Sequence, residues 1–308
     1  MKVSVIVPTR NGGKYLERLF ETLTKQTFRP AQILVVDSSS NDDTATICRT
    51  FGADLIEIEA KTFDHGGTRN LAASMTQGEI LVFMTQDALF NGKECLKDLI
   101  RPLENPAIAA SYGRQVPKED ANPVERFVRS FNYPSGRVIK GIDDLPRFGV
   151  KTFFFSNACS AVKKNAFQEV GGFPEKTIMN EDMFLAVKLL MKGYKIAYQP
   201  DAVVSHSHNY SLPAQFKRYF DIGVFFGRNR WIKNLTRPEE EGIAYLREQL
   251  IFLSSHGQKS WIPYALADTL IRFLGYRIGL LEKRLPLSLK RMASHNKGFW
   301  EGQASYSS

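Results

Sequence analysis

Residues 3–40, VSVIVPTRNGGKYLERLFETLTKQTFRPAQILVVDSSS, contain two apolar runs separated by a helical pattern. The runs VSVIVP (residues 3–8) and QILVVD (residues 32–37) are rich in valine and isoleucine, which is typical of strands buried on both faces. Between them, apolar residues recur at helical spacing on one face: Leu16, Leu19, Phe20 and Leu23. The stretch therefore predicts a strand–helix–strand unit with parallel strands.

The same alternation continues beyond this unit. ADLIEI (residues 53–58) and EILVFM (residues 79–84) predict two more strands, and residues 44–51 and 68–76 predict helices between strands. The fold class is therefore α/β, with a Rossmann-like sheet flanked by helices. Ligands of such sheets bind beyond the carboxyl ends of the strands. Polar residues follow each of the predicted strands, at residues 8–11, 37–40, 63–70 and 85–88.

The sequence lacks the common glycine motifs for phosphate binding. G-x-G-x-x-G does not follow the first strand and G-x-x-x-x-G-K-[ST] does not occur, which disfavours dinucleotide and Walker-type sites. The composition is that of a folded protein, with 308 residues, 43% hydrophobic and 24% charged. The three cysteines fit no disulfide or zinc pattern, so a reducing compartment, the cytoplasm, is expected. No apolar run is long enough for a membrane span.

Three of these strand ends together resemble a known family. VIVPTRNGGKYLERLFETLTKQT, VVDSSSNDDT and TQDA occur in the order found in family-2 glycosyltransferases of the GT-A fold, over roughly residues 1–210. The resemblance implies a mixed sheet flanked by helices and a nucleotide-sugar donor. It implies nucleotide contacts from Pro8, Thr9, Arg10, Asp37, Arg69, Thr85 and Gln86. It also places Asp87 on the metal-binding aspartate of the family's D-x-D signature.

The first aspartate of that signature is replaced by Thr85 in this sequence. In the family this aspartate contacts the ribose, and a 2′-deoxyribose offers one hydroxyl fewer. The replacement therefore favours a dTDP-sugar donor. A divalent cation, Mn²⁺ or Mg²⁺, is implied because it neutralises the charge that builds on a nucleoside diphosphate leaving group.

The stretch FDHGGTRN (residues 63–70) resembles the F-[ND]-H-G-x-T-R-N run of the family's rhamnosyltransferase branch. Two glycines permit a tight turn close to a ligand, and the helix after them presents free N–H groups to anionic oxygen. Arg69 is expected to pair with the diphosphate, and Asp64 and His65 are expected to contact sugar hydroxyls. A solvated turn followed by a helix capped by Thr68 is the alternative explanation.

The second half of the sequence supplies the candidate base. Residues 152–167 predict a strand, a turn, a strand and a short helix, and GGFPE (residues 171–175) predicts a loop. Asn180 is a favourable N-cap, so Glu181 and Asp182 fall in the first turn of the next helix. The resemblance assigns Asp182 as the general base and Glu181 to sugar binding. An acid pair that only satisfies the helix dipole is the alternative.

Two histidines follow the last predicted strand, in KIAYQPDAVVSHSHNYS (residues 195–211). His206 and His208 are two positions apart and therefore lie on one face of an extended chain. In the family, a histidine after this strand completes the metal shell opposite the D-x-D aspartate. His206 is the predicted ligand beside Asp87, with His208 as the alternative, and this ligand set suits Mn²⁺ or Mg²⁺.

The chain is expected to divide into a nucleotide-sugar-binding half (residues 1–110) and an acceptor half (residues 111–210) of one GT-A domain, followed by a helical extension (residues 211–308). The net charge is +9, and residues 271–308 hold seven Lys/Arg against two Asp/Glu. Apolar residues recur in the extension at spacings of four and three: Ala267, Ile271, Leu274, Ile278, Leu281 and Leu285. This seam is expected to pack on the catalytic domain, to pair with a second subunit, or to lie on an anionic membrane surface.

Together these features predict an inverting glycosyltransferase that moves L-rhamnose from dTDP-β-L-rhamnose to a saccharide acceptor in bacterial surface polysaccharide synthesis. A lipid-linked acceptor would place this otherwise cytoplasmic enzyme on the inner face of the cell membrane. The alternatives are a family-2 transferase with a UDP-hexose donor and a non-catalytic sugar-nucleotide-binding protein. Nucleic acid is not an expected partner, because no helix-turn-helix, zinc-finger or RNP pattern accompanies the basic charge.

Overall fold

The computed structural model describes residues 1–236 and 240–304. The strands in these residues are β1 Val3–Thr9, β2 Gln32–Asp37, β3 Asp54–Glu57, β4 Ile80–Met84, β5 Leu89–Phe90, β6 Ile108–Val116, β7 Val138–Lys140, β8 Cys159–Lys163 and β9 Lys195–Ser205. The helices are α1 Gly13–Thr24, α2 Thr44–Thr50, α3 His65–Met75, α4 Cys95–Ile100, α5 Pro123–Asn132, α6 Leu145–Phe148, α7 Lys164–Glu169, α8 Glu181–Met191, α9 Leu212–Arg228, α10 Arg230–Thr236, α11 Glu240–Ser255, α12 Ile262–Leu280, α13 Leu287–Ala293 and α14 Lys297–Ala304.

The described strands join one mixed sheet with the order β3-β2-β1-β4-β8-β6-β9-β5, and β7 also pairs with β9. The first four strands are parallel, as predicted, and Thr9 lies beside Asp37 in the register of β1 and β2. In the second half, β8 runs antiparallel to β4 and β6, whereas β6 and β9 are parallel. The predicted mixed α/β sheet is confirmed, and the carboxyl ends of β1, β2 and β4 lie at one edge.

A hydrophobic core covers each face of this sheet. Along β1, Ile6 belongs to one cluster while Val5 and Val7 belong to the other, because successive side chains of a strand point to opposite faces. The second cluster includes the whole predicted apolar face of α1: Leu16, Leu19, Phe20 and Leu23. Burial on both faces explains why these strands are continuous apolar runs in the sequence.

Part of the prediction for the second half is wrong. Gly149–Phe153 form a 3-10 turn, so the first of the two strands expected in residues 152–167 is absent, whereas the second strand and the short helix are present as β8 and α7. Phe155 does not belong to a strand, but its side chain is buried in the core. The apolar run here therefore reflects buried aromatic rings that anchor irregular backbone. Helix α5 was not predicted at all. It begins after Asn122, whose side chain caps it by accepting a hydrogen bond from the third helical N–H.

Helices α9 and α12 pack through glycine. A Cβ on Gly223 would lie 2.2 Å from the carbonyl oxygen of Tyr276, and one on Gly279 would lie 2.1 Å from that of Phe220. The two backbones therefore approach closely only because no side chain stands between them. The inward face of α12 is accordingly small, polar or aromatic: Ala265, Asp268, Arg272, Gly275, Tyr276 and Gly279.

The apolar seam predicted in this region lies on the outward face of α12 and just beyond it. Leu274, Ile278 and Leu281 are exposed, and Ala267, Ile271 and Leu285 are half-buried. The expectation that the seam packs as ordinary core is therefore wrong for its exposed members. Across residues 1–236 and 240–304, every helix is too short or too polar to span a bilayer.

Candidate active site

The loops after β1 and β4 are joined at the carboxyl edge of the sheet. Gln86 accepts hydrogen bonds from the Thr9 hydroxyl at 2.5 Å and from the Arg10 backbone N–H at 3.1 Å. Thr9 is buried, Pro8 is half-buried and Arg10 is exposed. The residues predicted for nucleotide binding on these two loops therefore lie together.

Asp37 and Thr85 are polar groups at the same edge. Asp37 is 4% exposed, and its carboxylate accepts hydrogen bonds from the backbone N–H and the hydroxyl of Ser40. The Thr85 hydroxyl is buried and has no hydrogen-bond partner within the described chain. Buried hydroxyls are normally paired, so this orphaned group is one that a bound ligand would satisfy.

Asp87, His206 and His208 form a compact cluster. One ligand atom from each side chain lies within 4.8 Å of the others. The two histidine Nε2 atoms are 3.1 Å apart, and each lies 3.4 Å from a carboxylate oxygen of Asp87. Pairing of β5 with β9 produces this arrangement, because Asp87 comes just before β5 and both histidines come just after β9. The structure thus brings both candidate histidines to the aspartate.

The charges in this cluster follow from burial and proximity. Burial alone would raise the pKa of Asp87, but His206, His208 and Lys118 lower it below its usual range. Burial lowers the pKa of His206, and burial together with His206 lowers the pKa of His208 to about 4. At neutral pH the cluster is therefore an ionised carboxylate beside two neutral imidazoles.

This donor set fits a divalent cation. Imidazole nitrogen and carboxylate oxygen together suit Mn²⁺, and carboxylate also suits Mg²⁺. Ligand atoms bound at about 2.1 Å to an octahedral ion lie about 3 Å apart. The side chains of the cluster are separated by 3.1 and 3.4 Å. Two imidazole nitrogens at such a distance also need a proton or a cation between them, since their lone pairs repel.

Lys118 is a member of this cluster that the sequence analysis missed. Its ammonium lies 3.2 Å from Asp87 Oδ2, and its backbone N–H donates to the Ser207 hydroxyl. The lysine follows β6 in a segment of scattered charges without a motif. Pairing of β6 with β9 is what brings it to the histidines, so a single sequence contains no signal for it.

The glycine turn predicted before α3 is wrong, because the helix already begins at His65. Asp64 is its N-cap, and the carboxylate accepts a hydrogen bond from the Gly67 N–H at 2.6 Å. A Cβ on Gly66 would lie 1.9 Å from the carbonyl oxygen of Pro174. Gly66 therefore permits contact between α3 and the loop that leads to α8, rather than a change in chain direction.

Arg69 and Glu181 form a buried ion pair. Arg69 Nη1 lies 3.2 Å from Glu181 Oε1, and the side chains are 6% and 10% exposed. The same nitrogen donates to the backbone carbonyl of His65. Burial alone would raise the pKa of Glu181, but Arg69 and then His65 lower it. Arg69 is therefore held by a carboxylate inside the protein, and its pairing with a diphosphate stays a prediction.

Asp182 lies next to this pair in the first turn of α8. Its carboxylate accepts hydrogen bonds from the Asn157 N–H at 3.3 Å and from the Met183 N–H at 2.8 Å. Burial and then the charge on Glu181 raise the pKa of Asp182 to about 7. Asn180 occupies the N-cap position in a left-handed conformation, and its side chain makes no capping hydrogen bond to the described residues. The predicted helix start is right, but its capping contact is wrong.

Asn157 is a second residue that sequence analysis missed. Its backbone N–H holds Asp182, and its side-chain amide donates to Glu181 Oε1 at 3.3 Å. The side chain is 3% exposed. An asparagine between the apolar run TFFF (residues 152–155) and the strand that begins at Cys159 was the available signal, because a buried amide needs polar partners.

Residues 4–171 match the sequence model of Glycosyl transferase family 2. The chain belongs to this family. The resemblance carried by the strand ends is confirmed, and the chain is a glycosyltransferase. The matched residues include the ends of strands β1, β2 and β3, the loop around Asn157, and Asp87, which lies beside the two histidines.

Two curated relatives of this family-2 chain are similar over nearly their full length. Identity is 40% over 303 residues with the O-antigen chain rhamnosyltransferase RfbN of Salmonella typhimurium, covering 97% of this chain and 96% of the relative. It is 42% over 300 residues with the O-antigen chain rhamnosyltransferase WbaN of Salmonella anatum, covering 96% and 95%. The resemblance to the rhamnosyltransferase branch is therefore confirmed.

Solved structures of glycosyltransferases have the same fold as this family-2 chain. A mannosyltransferase from Pyrobaculum calidifontis, solved with GDP-Man and Mn²⁺, aligns with a TM-score of 0.58 and 20% identity, over 99% of this chain and 86% of that protein. Staphylococcus aureus TarS 1–349, solved with UDP-GlcNAc, aligns with a TM-score of 0.56 and 18% identity, over 92% of each chain. At such low identity these likenesses establish the GT-A fold alone.

Proposed function

We propose that this enzyme transfers L-rhamnose from dTDP-β-L-rhamnose to a saccharide hydroxyl during synthesis of a bacterial surface polysaccharide. The observation that carries the proposal is the identity of 40% and 42%, over nearly the full length, to two O-antigen chain rhamnosyltransferases. The side chains at the carboxyl edge of the sheet support it, since they offer a cation site and one carboxylate of raised pKa. A single base opposite a single leaving group is the arrangement for one direct displacement at the anomeric carbon, which inverts the configuration of that carbon.

Asp182 is the general base in this proposal. Its raised pKa suits it to take the proton from the acceptor hydroxyl as that oxygen attacks the anomeric carbon. The Asn157 N–H holds the carboxylate during this step. A nucleoside diphosphate leaves without protonation, so the second carboxylic acid of a glycoside hydrolase is not required.

Asp87, His206 and His208 would hold the divalent cation, Mn²⁺ or Mg²⁺. When bound, such an ion stabilises the negative charge on the departing diphosphate. The two nitrogen ligands favour Mn²⁺ over Mg²⁺. Lys118, 3.2 Å from Asp87, supplies a second positive charge at this position.

The dTDP part of the donor is assigned to the loops after β1, β2 and β4. Asp37 is proposed to hydrogen-bond the base, which lies against residues 8–10. Thr85 stands where the family's D-x-D signature has a ribose-contacting aspartate, and its orphaned hydroxyl supports a ligand there. Gln86 holds the β1 and β4 loops together and so fixes the shape of this subsite.

The rhamnosyl group is assigned to Asp64, His65 and Glu181. Each of these side chains is already oriented by protein contacts. Asp64 caps α3, Glu181 is held by Arg69, and the His65 ring packs edge-on against Phe63 with centroids 5.0 Å apart. Side chains held in this way recognise a sugar at a lower entropic cost than mobile ones.

The division of labour along the chain is also a proposal. Residues 1–110 would bind the nucleotide sugar, residues 111–210 would supply the base and the acceptor surface, and residues 211–308 would add the helical extension. The first boundary falls inside β6, so the two halves share one sheet. Residues 237–239 and 305–308 of the extension lie outside the described residues.

We further propose a lipid-linked acceptor at the cytoplasmic face of the membrane. The outward face of α12 and the turn after it, here called the α12 face, carries exposed apolar residues: Leu266, Leu270, Phe273, Leu274, Ile278 and Leu281. Its exposed charged residues are cations, namely Arg277, Lys283 and Arg284, whereas the acids Asp268 and Glu282 point inward and are buried. An apolar surface bordered by cations complements anionic lipid. Between two copies of this chain, by contrast, the same cations would repel.

Thermal stabilisation by nucleotides tests the donor. dTDP, UDP and GDP are compared, each with and without Mn²⁺, because a ligand that binds only the folded state raises the melting temperature. We expect dTDP to give the largest rise in melting temperature, and we expect this rise to depend on Mn²⁺. A larger rise with UDP would replace rhamnose by a UDP-hexose donor within the same family.

Turnover separates an enzyme from a binding protein. Release of dTDP from dTDP-rhamnose is measured with lipid-linked saccharide acceptors, for the wild type and for Asp182→Asn. We expect only the wild type to release dTDP, and we expect both proteins to bind dTDP equally well. Binding of dTDP without release by either protein would favour a non-catalytic sugar-nucleotide-binding protein.

A further inference from the structure

Gln115, in β6, lies directly behind the proposed cation site and is 2% exposed. Its amide oxygen Oε1 lies 2.8 Å from His206 Nδ1 and 2.5 Å from Arg129 Nη1. Its amide nitrogen Nε2 donates to the Ser156 hydroxyl at 2.8 Å. Both ends of the amide are therefore engaged, although neither contacts Asp87 or His208.

The arginine determines which end of the amide faces His206. A guanidinium can only donate hydrogen bonds, so the Gln115 atom facing Arg129 must be the oxygen. The same oxygen faces His206 Nδ1. An amide oxygen can only accept, so Nδ1 must carry the proton of the neutral imidazole. The other nitrogen, Nε2, then carries a free lone pair, and it faces Asp87 and His208.

The arginine is in turn held by a carboxylate on its own helix. Arg129 Nη2 and Nε lie 2.6 and 2.7 Å from Glu125 Oε1, and Glu125 is 5% exposed. Glu125 Oε1 also accepts a hydrogen bond from the His208 backbone N–H at 3.2 Å. Helix α5 thus reaches both histidine positions, through Gln115 to the His206 ring and through Glu125 to the His208 backbone.

We infer that Glu125, Arg129 and Gln115 are positioning residues that hold His206 in its Nδ1–H tautomer, with the Nε2 lone pair directed at the cation site. The inference rests on the proposed function for the cation, but the tautomer is a property of the metal-free protein. A ligand whose tautomer and ring orientation are set in advance binds a metal more tightly, and loss of such a partner typically lowers metal affinity about 10- to 100-fold.

Imidazole ¹⁵N NMR of the full chain without metal tests the tautomer directly. In the wild type, His206 should give the shifts of a protonated Nδ1 and a bare Nε2. A protonated Nε2 in the wild type would overturn the inference, whether or not the protein binds metal. This measurement needs no variant, so it is independent of any folding defect.

Mn²⁺ alone, titrated with detection of free ion by electron paramagnetic resonance, tests the consequence. Gln115→Leu removes the acceptor and should weaken Mn²⁺ binding about 10- to 100-fold. Gln115→Glu keeps an oxygen toward His206 and Arg129 and should bind Mn²⁺ more tightly than the leucine variant. Gln199→Leu, at another fully buried glutamine, is the matched control and should bind like the wild type.

The outcomes distinguish this inference from the proposed cation site. A wild type that binds no Mn²⁺ would remove the cation proposal, while the NMR result would still decide the tautomer. Equal Mn²⁺ affinity in the wild type and Gln115→Leu would overturn the positioning role. If Gln115→Leu does not fold, Arg129→Met is the second variant, because it frees the amide to rotate and should weaken Mn²⁺ binding in the same direction.

Discussion

Glu181 and Asp182 are adjacent carboxylates in opposite electrostatic environments. Glu181 has Arg69 at 3.2 Å, which lowers its pKa, whereas Asp182 has backbone N–H partners and the charge of Glu181 beside it. Burial and that charge raise the pKa of Asp182 to about 7. Two carboxylates whose pKa values are pushed apart in this way commonly have different roles in one site.

The pKa of Asp182 predicts the pH dependence of turnover. The base acts only when ionised, so kcat/KM should fall about tenfold per pH unit once the pH drops below about 7. Rates measured from about pH 5 to 9 test this. Glu181→Gln removes the neighbouring charge, so the pH below which kcat/KM falls should be lower in this variant. An ordinary aspartate has a pKa of about 3.9, so a wild-type kcat/KM that falls only near that pH would contradict the assignment.

Asp182→Asn should lose activity and gain stability. The folded protein favours protonated Asp182, so the wild type loses stability as the pH rises from about 4 to about 7. A neutral amide avoids this loss, and we expect a gain of about 1–3 kcal/mol in unfolding free energy at pH 8. Turnover should fall by about 10²- to 10⁴-fold.

Urea unfolding at pH 8 and pH 5 and dTDP release measure the two effects of Asp182→Asn. The stability difference from the wild type should shrink at the lower pH, where the aspartate is already protonated. Retained turnover would remove Asp182 as the base. Lost turnover without added stability at pH 8 would show that the carboxylate is not destabilised by its surroundings.

At the scale of elements, α3 connects the sugar-side residues to the loop before α8. Asn70 exchanges two hydrogen bonds with the Phe173 backbone, at 3.0 and 2.9 Å. Gly66 lets the same loop approach the helix, since its Cα faces the Pro174 carbonyl without a side chain between. The loop continues to Glu181 and Asp182, so the packing of α3 sets where the candidate base stands.

Gly66→Ala should destabilise the fold, whereas Gly67→Ala should not. An added methyl group at Gly66 would lie 1.9 Å from the carbonyl oxygen of Pro174, which is backbone and cannot yield. We expect a loss of about 1–3 kcal/mol. At Gly67 the nearest atom is Asp64 Oδ2 at 3.1 Å, on a side chain that can move.

Urea unfolding of both glycine variants and the wild type measures this difference. Alanine is favoured over glycine inside a helix by about 1 kcal/mol, so Gly67→Ala should be close to the wild type or above it. Equal losses in the two variants would contradict the packing argument. Normal stability of Gly66→Ala would mean that α3 and the loop before α8 are further apart than the structure places them.

Elements with strong periodicity could be predicted from the sequence, and contacts between distant segments could not. The first four strands and the buried face of α1 follow from local apolar patterns. The glycine pair before Asn70 looked like a turn, because the Pro174 loop that requires Gly66 lies about a hundred positions away in the chain. Lys118 and Gln115 were missed for the same reason, since only the pairing of β6 with β9 brings them to the histidines.

At the scale of the whole molecule, helix α12 buries charged side chains and exposes apolar ones, which is the reverse of the usual distribution. Arg272 and Asp268 form a buried ion pair at 2.7 Å, and the Arg272 guanidinium also donates to the hydroxyls of Tyr219 and Tyr245. Glycines let the backbones of α9 and α12 approach closely at the rest of this interface, where Tyr276 also packs against Phe226. The apolar residues therefore face outward, although a sequence pattern alone assigns such a stripe to the core. Arg272, one of the seven cations counted in residues 271–308, therefore lies in the interior.

The α12 face should bind anionic membranes. Leu270 and Phe273 are 56% and 54% exposed, and insertion of their side chains between lipid headgroups would remove this apolar surface from water. Nearby cations each contribute about 1 kcal/mol at an anionic surface. We expect the wild type to sediment with phosphatidylglycerol vesicles, and binding to phosphatidylcholine vesicles to be weaker.

The double variant Leu270→Glu with Phe273→Glu should reduce vesicle binding about tenfold or more, because two carboxylates replace apolar groups at an anionic surface. Met75→Glu is the matched control, since Met75 is 52% exposed on α3 and should not affect binding. High salt should weaken but not abolish sedimentation of the wild type, because the apolar contribution is not screened. If the wild type ignores vesicles but is a dimer by sedimentation velocity, and the double variant is a monomer, then the α12 face joins two subunits and the membrane proposal fails.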